Sequence, residues 1–178
     1  MAAIEDFLEL VRARYSCRDY SCREVEKEKI ELCLEAARLA PSACNKQPWR
    51  FKVVDDEALV RRLSDEALLP GLPMPWLGSA PVIVALCAET SVVTHRLAPL
   101  LSKIDYRLID IGISGEHFAL AAAAQGLATC WIGWFSEKRV KRVLGLKRGM
   151  RVVSLMSLGY PAESGGSPEK KALDEIVV

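Results

Sequence analysis

Apolar residues recur at helical spacing in several stretches of the chain. Ile4, Phe7, Leu8 and Val11 follow this pattern, which predicts a first amphipathic helix over residues 4–13. Further helices are predicted over residues 26–40, 57–69, 106–127 and 136–144. The second of them ends before Pro41, because a proline pushes the preceding residue out of the helical conformation.

Shorter apolar runs between the helices predict strands over residues 49–54, 82–88, 129–133 and 152–158. The run at 82–88 is continuously apolar, which is typical of a strand buried on both faces. Residues 70–81 hold four prolines and two glycines and predict a loop, and residues 89–104 fit no single pattern. Helices and strands mix without a regular βαβ order, so the sequence favours an α+β fold. The length of 178 residues suits one domain, with a tail over about 160–178.

The predicted helix over residues 106–127 is unusual because residues 118–124 are apolar on every side. A helix that is apolar all round has to be covered all round. In a domain of this size a second subunit is one possible cover. The tail ends in the β-prone residues Ile176, Val177 and Val178, which lie outside all the predicted strands.

Charge and hydropathy exclude several classes of function. The formal net charge is +1, with 24 Lys and Arg against 23 Asp and Glu, so the molecule lacks the overall positive charge typical of nucleic-acid binding. Glu5, Asp6 and Glu9 give the N-terminus the wrong charge for a signal peptide. The longest apolar runs are shorter than the roughly 20 residues of a membrane span. We therefore expect a cytoplasmic protein without nucleic-acid or membrane partners.

The six cysteines form no C-x-x-C pair, and the two histidines stand apart from any pair of them. Scattered cysteines in apolar segments of a cytoplasmic protein are typically reduced and structural. We expect neither a metal site nor a catalytic thiol.

Three segments carry side chains suited to binding a ligand. Arg14, Ser16 and Arg18 alternate, so in an extended segment they project from one side. Two guanidinium groups with a hydroxyl between them suit a phosphate, although surface ion pairs are an equal alternative.

The second segment runs from Ser42 to Trp49 and holds Asn45 and Gln47. Such amides either recognise the edge of a planar heterocycle or cap turns. The third segment runs from Gly126 to Trp134, a predicted strand that ends at Gly133, where a backbone can approach a ligand closely.

Together these segments resemble the FMN-dependent nitroreductase family. The sequence contains R-x-S-x-R at 14–18, A-P-S-x-x-N-x-Q-P-W at 40–49, G-L-x-T-C-W-I-G at 126–133 and L-G-Y-P at 158–161, followed by a basic pair and L-D-E-I-V at 173–177. The resemblance covers nearly the whole chain. It implies a central, mostly antiparallel sheet flanked by helices. It also implies an intertwined homodimer with FMN at the subunit interface, in which the tail extends onto the partner subunit.

The resemblance also implies the residues that bind FMN, by matching positions of the family's motifs. At the first motif they are Arg14, Tyr15, Ser16 and Arg18, and in the loop against the flavin they are Ser42, Ala43, Asn45 and Gln47. Ile132, Gly133 and Trp134 match the segment at the flavin edge, and Lys170 matches the late basic residue at the phosphate, where Lys171 is an alternative.

The activity implied by the resemblance is oxidoreduction. FMN takes a hydride from NADH or NADPH and passes electrons to a small acceptor, such as a nitroaromatic compound or a quinone, in a ping-pong reaction. No side chain needs to act as an acid or a base, so no catalytic residue is assigned. The alternatives are a flavin-consuming or dehalogenating reaction on the same fold, and an FMN-binding storage or sensor protein without turnover.

Overall fold

The centre of the molecule is a four-stranded antiparallel sheet, seen in a computed structural model that describes residues 4–89, 104–147, 149–163 and 165–178. Its strands are β1 (Trp49–Val54), β2 (Val82–Glu89), β3 (Ala128–Ile132) and β4 (Met150–Gly159), in the order β1-β2-β4-β3. Each predicted strand is present, with ends shifted by at most two residues. The predicted α+β class and the antiparallel sheet are thus confirmed.

Helices cover both faces of this sheet. They are α1 (Ile4–Ala13), α2 (Lys27–Arg38), α3 (Glu57–Ala67), α4 (Tyr106–Ala124) and α5 (Glu137–Leu144), with short 3₁₀ helices at Ala43–Asn45, Pro75–Ser79 and Leu173–Glu175. One layer of core packs α2 and α4 against the sheet, and a second layer packs α3 and α5 against the other face. Val84 and Leu86 of β2 belong to the first layer, whereas Ile83 and Ala85 belong to the second. The continuously apolar strand is therefore buried on both faces, as predicted.

The apolar second half of α4 is covered in part by the chain itself. Phe118, Ala119 and Ala122 are buried in the core layer that α4 shares with α2 and the sheet. His117 is half-buried and packs against α2, with Nδ1 3.3 Å from the carbonyl oxygen of Ala36. Leu120, Ala121 and Ala123 are only half-buried and Ala124 is exposed, so this half of α4 is not fully covered within one subunit.

A different part of the surface leaves apolar side chains exposed. No residue of α1 is buried, and α1 lies beside α4, whose first half also presents apolar side chains to solvent. We call this set the α1–α4 apolar surface; it consists of Ile4, Phe7, Leu8, Val11, Leu108 and Ile109. An amphipathic helix with an exposed apolar face is typical of a protein–protein contact.

The tail after β4 forms no strand in the described residues. The β-prone Ile176, Val177 and Val178 follow the 3₁₀ helix at Leu173–Glu175 and are exposed. Among the described helices, none has the length and hydropathy needed to cross a membrane. The ambiguous segment of the sequence falls almost wholly at 90–103, outside the described residues, together with His95.

Candidate functional site

The first motif is an extended segment at the edge of the sheet, beside β3. Ser16 pairs with Thr129 in parallel orientation, and the Cys17 N–H donates to the Thr129 carbonyl at 2.9 Å. Cys17 is buried, whereas Ser16 and Arg18 on either side are exposed. The predicted alternation of the motif is present, so Ser16 and Arg18 share the solvent side.

Ser16 and Arg18 both lie close to the thiol of Cys130 on β3. Burial raises the pKa of Cys130, and the Arg18 charge and a hydrogen bond with Ser16 counter part of this rise. The raised pKa keeps the thiol protonated at neutral pH, and a protonated thiol is a poor nucleophile. The contact also places the Arg18 guanidinium against β3, the strand that leads to Gly133.

Arg14 is held by an ion pair with α4. Its Nε lies 3.3 Å from Oε1 of Glu116, and 18% of its side chain is exposed. The sequence left a surface ion pair and a phosphate contact as equal alternatives for this arginine. The ion pair is what the structure shows, and an anionic ligand would have to compete with Glu116 for the guanidinium.

Tyr15 turns its side chain toward the tail and not toward the side shared by Ser16 and Arg18. The Gly165 N–H donates to the Tyr15 hydroxyl at 3.2 Å. A Cβ on Gly165 would lie 2.2 Å from Cε2 of the tyrosine ring, so only glycine allows this approach. The phenol therefore holds the start of the tail against the first motif.

The Ser42–Gln47 loop is largely exposed and has an unusual backbone. Cys44, Asn45 and Gln47 have φ values of 52°, 52° and 48°, although none of them is glycine. The loop is stabilised from within, since the Gln47 N–H donates to Ser42 Oγ at 2.9 Å and Gln47 Nε2 donates to Asn45 Oδ1 at 3.0 Å. This pairing uses neither the amide NH2 of Asn45 nor the amide oxygen of Gln47, so one exposed loop keeps a donor and an acceptor for a ligand.

Asp110 of α4 forms a hydrogen bond with the start of the loop. Its Oδ1 accepts a hydrogen bond from the Ala43 N–H at 3.0 Å, and the residue is only 2% exposed. Glu116, which pairs with Arg14, stands six residues further along α4, about 9 Å at 1.5 Å per residue. One helix therefore contacts both the first motif and the loop.

The segment after β3 could present two groups to a ligand, the backbone at Gly133 and the side chain of Trp134. The side chain of Ile132 is buried in the core, and Gly133 is exposed with no atom within 4 Å of the position of a Cβ. Trp134 is 45% exposed, and its Nε1 donates to the Pro70 carbonyl at 3.0 Å. The indole is thus held against the proline-rich loop that precedes β2.

Lys170 and Lys171 are exposed in the tail, beyond the contact between Tyr15 and Gly165. Within the described residues neither lysine has a hydrogen bond or an ion pair. The first motif therefore lies beside β3 at one edge of the sheet, whereas the loop leads into β1 at the opposite edge, and α4 contacts both of them. Among the described residues no group of three or more His, Cys, Asp or Glu side chains could hold a metal ion.

Asp110 and Glu116 were not singled out from the sequence. The signal for Asp110 was present, because it falls on the face of α4 that buries Ile111 and Ser114, where a carboxylate is rare. Their partners, however, lie far away along the chain, and helical periodicity says nothing about them.

Comparison with known proteins defines the class of this fold and site. The model of the nitroreductase family matches residues 11–70 and 67–160. A protein of Archaeoglobus fulgidus, provisionally named an NADH dehydrogenase/NAD(P)H nitroreductase, is 35% identical over 166 residues, which cover 90% of this chain and 88% of that protein.

Two solved structures from Clostridium difficile have the same fold. A nitroreductase family protein superimposes with a TM-score of 0.81 at 30% identity and covers 97% of this chain and 96% of its own. An FMN-dependent nitroreductase gives a TM-score of 0.79 at 28% identity and covers 96% of both chains. The chain belongs to the nitroreductase family and is an NAD(P)H oxidoreductase of that family.

Proposed function

We propose that the protein binds FMN and uses NADH or NADPH to reduce small, planar, electron-poor acceptors such as nitroaromatic compounds or quinones. The observation that carries the proposal is the position of the first motif, whose Ser16 and Arg18 lie side by side with the strand that ends at the exposed Gly133. The FMN-dependent relative from Clostridium difficile, similar over 96% of this chain, supports the same cofactor.

The chemistry of the side chains fits such a cofactor. Arg14, Arg18 and, in the tail, Lys170 or Lys171 would supply positive charge for a single terminal phosphate. The exposed donor and acceptor of Asn45 and Gln47 match the hydrogen-bonding edge of a flavin ring. The sequence has no G-x-G-x-x-G turn for a pyrophosphate, which favours FMN over FAD.

In this proposal the residues of the chain bind and orient, and the bound flavin supplies hydride acceptance from NAD(P)H and electron delivery to the acceptor. The backbone at Gly133 is open to close approach, because no atom lies within 4 Å of where a side chain would begin. Trp134, fixed by Pro70, would form one wall beside it and limit the size of the acceptor.

The proposal includes a homodimer, with the α1–α4 apolar surface as its interface and the exposed tail reaching the second subunit. Exposed apolar side chains occur both on α1 and on the first half of α4, two helices in contact with each other. A second copy of this chain would remove both from water.

The experiment that tests the function is steady-state oxidation of NADH and of NADPH by the FMN-loaded protein. We expect oxidation that depends on added 4-nitrobenzoate or 1,4-benzoquinone, and a flavin absorbance spectrum in the purified protein. Mass spectrometry of the released cofactor should show FMN.

Each alternative gives a different result in the same assay. Bound FMN without oxidation of either nucleotide by any acceptor would favour a storage or sensor protein. Halide release from a halogenated aromatic compound, without reduction of the nitro compound or the quinone, would favour the dehalogenating alternative. Released FAD would contradict the assignment of the cofactor.

A further inference from the structure

The Ser42–Gln47 loop has a conformation that its own residues do not favour. Cys44, Asn45 and Gln47 all lie in the left-handed region of backbone conformation, which is unfavourable for residues with a Cβ and is relieved only in part by asparagine. Such a backbone persists only when the surrounding structure holds it. Contacts from outside the loop are therefore needed to keep it in place.

Asp110 supplies such a contact at the start of the loop. The hydrogen bond from the Ala43 N–H to Oδ1 fixes the residue just before the first left-handed one. Asp110 itself is fixed, because it lies on the buried face of α4 between the core and the loop. Its carboxylate therefore fixes the start of the loop relative to α4.

The second oxygen of Asp110 makes this carboxylate costly to bury. Oδ2 is buried and has no hydrogen-bond partner within the part of the chain that the structure describes. A buried carboxylate oxygen without a donor opposes folding. Buried polar side chains elsewhere on the helix differ, since Ser114 satisfies its hydroxyl by donating to the Ala37 carbonyl at 2.8 Å.

We propose that Asp110 is a positioning residue of the flavin site. It holds the Ser42–Gln47 loop at a set distance from α4 and so orients the amides of Asn45 and Gln47 toward the flavin. This inference rests on the proposed binding of FMN by the same loop. Asp110 acts through the loop and makes no contact with substrate.

The test compares FMN binding by apo-protein variants, followed by flavin fluorescence, with the visible circular dichroism of the bound flavin. We expect Asp110→Ala to weaken FMN binding about 10-fold, as for the loss of one charge-assisted hydrogen bond, and to change the dichroism of the flavin. Asp110→Asn keeps an oxygen that accepts from Ala43 and should stay within about threefold of the wild type. Ala43→Pro removes the same hydrogen bond from the loop side and should reproduce Asp110→Ala.

Ser114→Ala is the matched control, because it removes a buried hydrogen bond from the same helix without touching the loop. It should leave both readouts unchanged. An equal loss in Ser114→Ala, or wild-type affinity and dichroism in both Asp110→Ala and Ala43→Pro, would overturn the inference. If Asp110→Ala does not fold, Ala43→Pro and Asp110→Asn carry the test alone. Wild-type protein that binds no FMN would instead refute the proposed function.

Discussion

Arg14 forms an ion pair in the structure, although its motif also suits it to bind a phosphate. Its ion pair with Glu116 joins two groups, one of them nearly half exposed, and a pair of that kind contributes at most about 1 kcal/mol. A phosphate with two negative charges offers a stronger partner to the same guanidinium. The ion pair therefore keeps the arginine in place without preventing it from binding an anion.

We expect Arg14→Ala to weaken FMN binding by one to two orders of magnitude, because one charge-assisted interaction with a phosphate is worth about 1.5–3 kcal/mol. Arg14→Lys should recover only part of the loss, since it keeps the charge but not the two-pronged donor. Titration of apo-protein with FMN measures both variants.

Glu116→Gln provides the control for the Arg14 variants. It removes the charge that competes for the arginine and should leave FMN affinity unchanged or slightly higher. Wild-type affinity in Arg14→Ala would mean that the arginine serves only its ion pair with Glu116.

The alkylation rate of Cys44 tests whether FMN covers the Ser42–Gln47 loop, and the test needs no mutation. Cys22 and Cys44 are the exposed thiols, whereas the other four are buried, and burial raises the pKa of Cys33 and of Cys87 to about 11. A high pKa and burial both slow alkylation. We expect FMN to slow alkylation of Cys44 by iodoacetamide at least tenfold, and peptide mass spectrometry measures it.

Cys22 is the internal reference for this experiment, because it is exposed but lies outside the Ser42–Gln47 loop. Its alkylation rate should not depend on FMN. Equal rates at Cys44 with and without bound FMN would place the loop away from the flavin.

At the scale of secondary-structure elements, the contact between α4 and the sheet is set by a glycine. A Cβ on Gly115 would lie 2.2 Å from Cη2 of Trp131 on β3 and 2.7 Å from Cδ2 of Leu86 on β2. The helix can therefore approach the sheet only where it has no side chain. This close approach also sets how far α4 carries Asp110 and Glu116 toward the site.

We expect Gly115→Ala to lower the free energy of unfolding by about 1–3 kcal/mol, because overpacking forces neighbouring side chains or backbone to move. Urea unfolding measures the loss. Adding Trp131→Phe removes the ring atoms nearest to the new methyl group and should recover part of the stability. A loss of the same size with and without Trp131→Phe would show that the clash with Trp131 is not its cause.

The elements themselves could be predicted because each depends on local pattern. The apolar run at 82–88 and the helical spacing of apolar residues in α1 can be recognised from neighbouring residues alone. The hydrogen bond from Ala43 to Asp110 joins residues 67 positions apart, and Tyr15 meets Gly165 across 150. Local periodicity carries no information on such pairs, so the motifs could be found from sequence but not the contacts that hold them.

At the scale of the whole molecule, the α1–α4 apolar surface leads us to expect a homodimer. Ile109 is 48% exposed in the first half of α4, the helix that α1 contacts. Ile109→Asp would place a charge in the interface and should give a monomer by light scattering, with weakened FMN binding. Leu32→Asp on α2 is the control, because Leu32 is 59% exposed but outside this surface. A wild-type monomer with bound FMN would contradict the proposed interface.

The link between Tyr15 and the tail has a consequence for the order in which the protein matures. The first motif is synthesised well before its partners Thr129 and Gly165, which follow it by more than 110 residues. Contacts between residues so far apart in sequence form late, because a long loop must close first. Nascent chains would therefore lack a complete cofactor site until Gly165 has left the ribosome, and FMN would stabilise only molecules in which these contacts have formed.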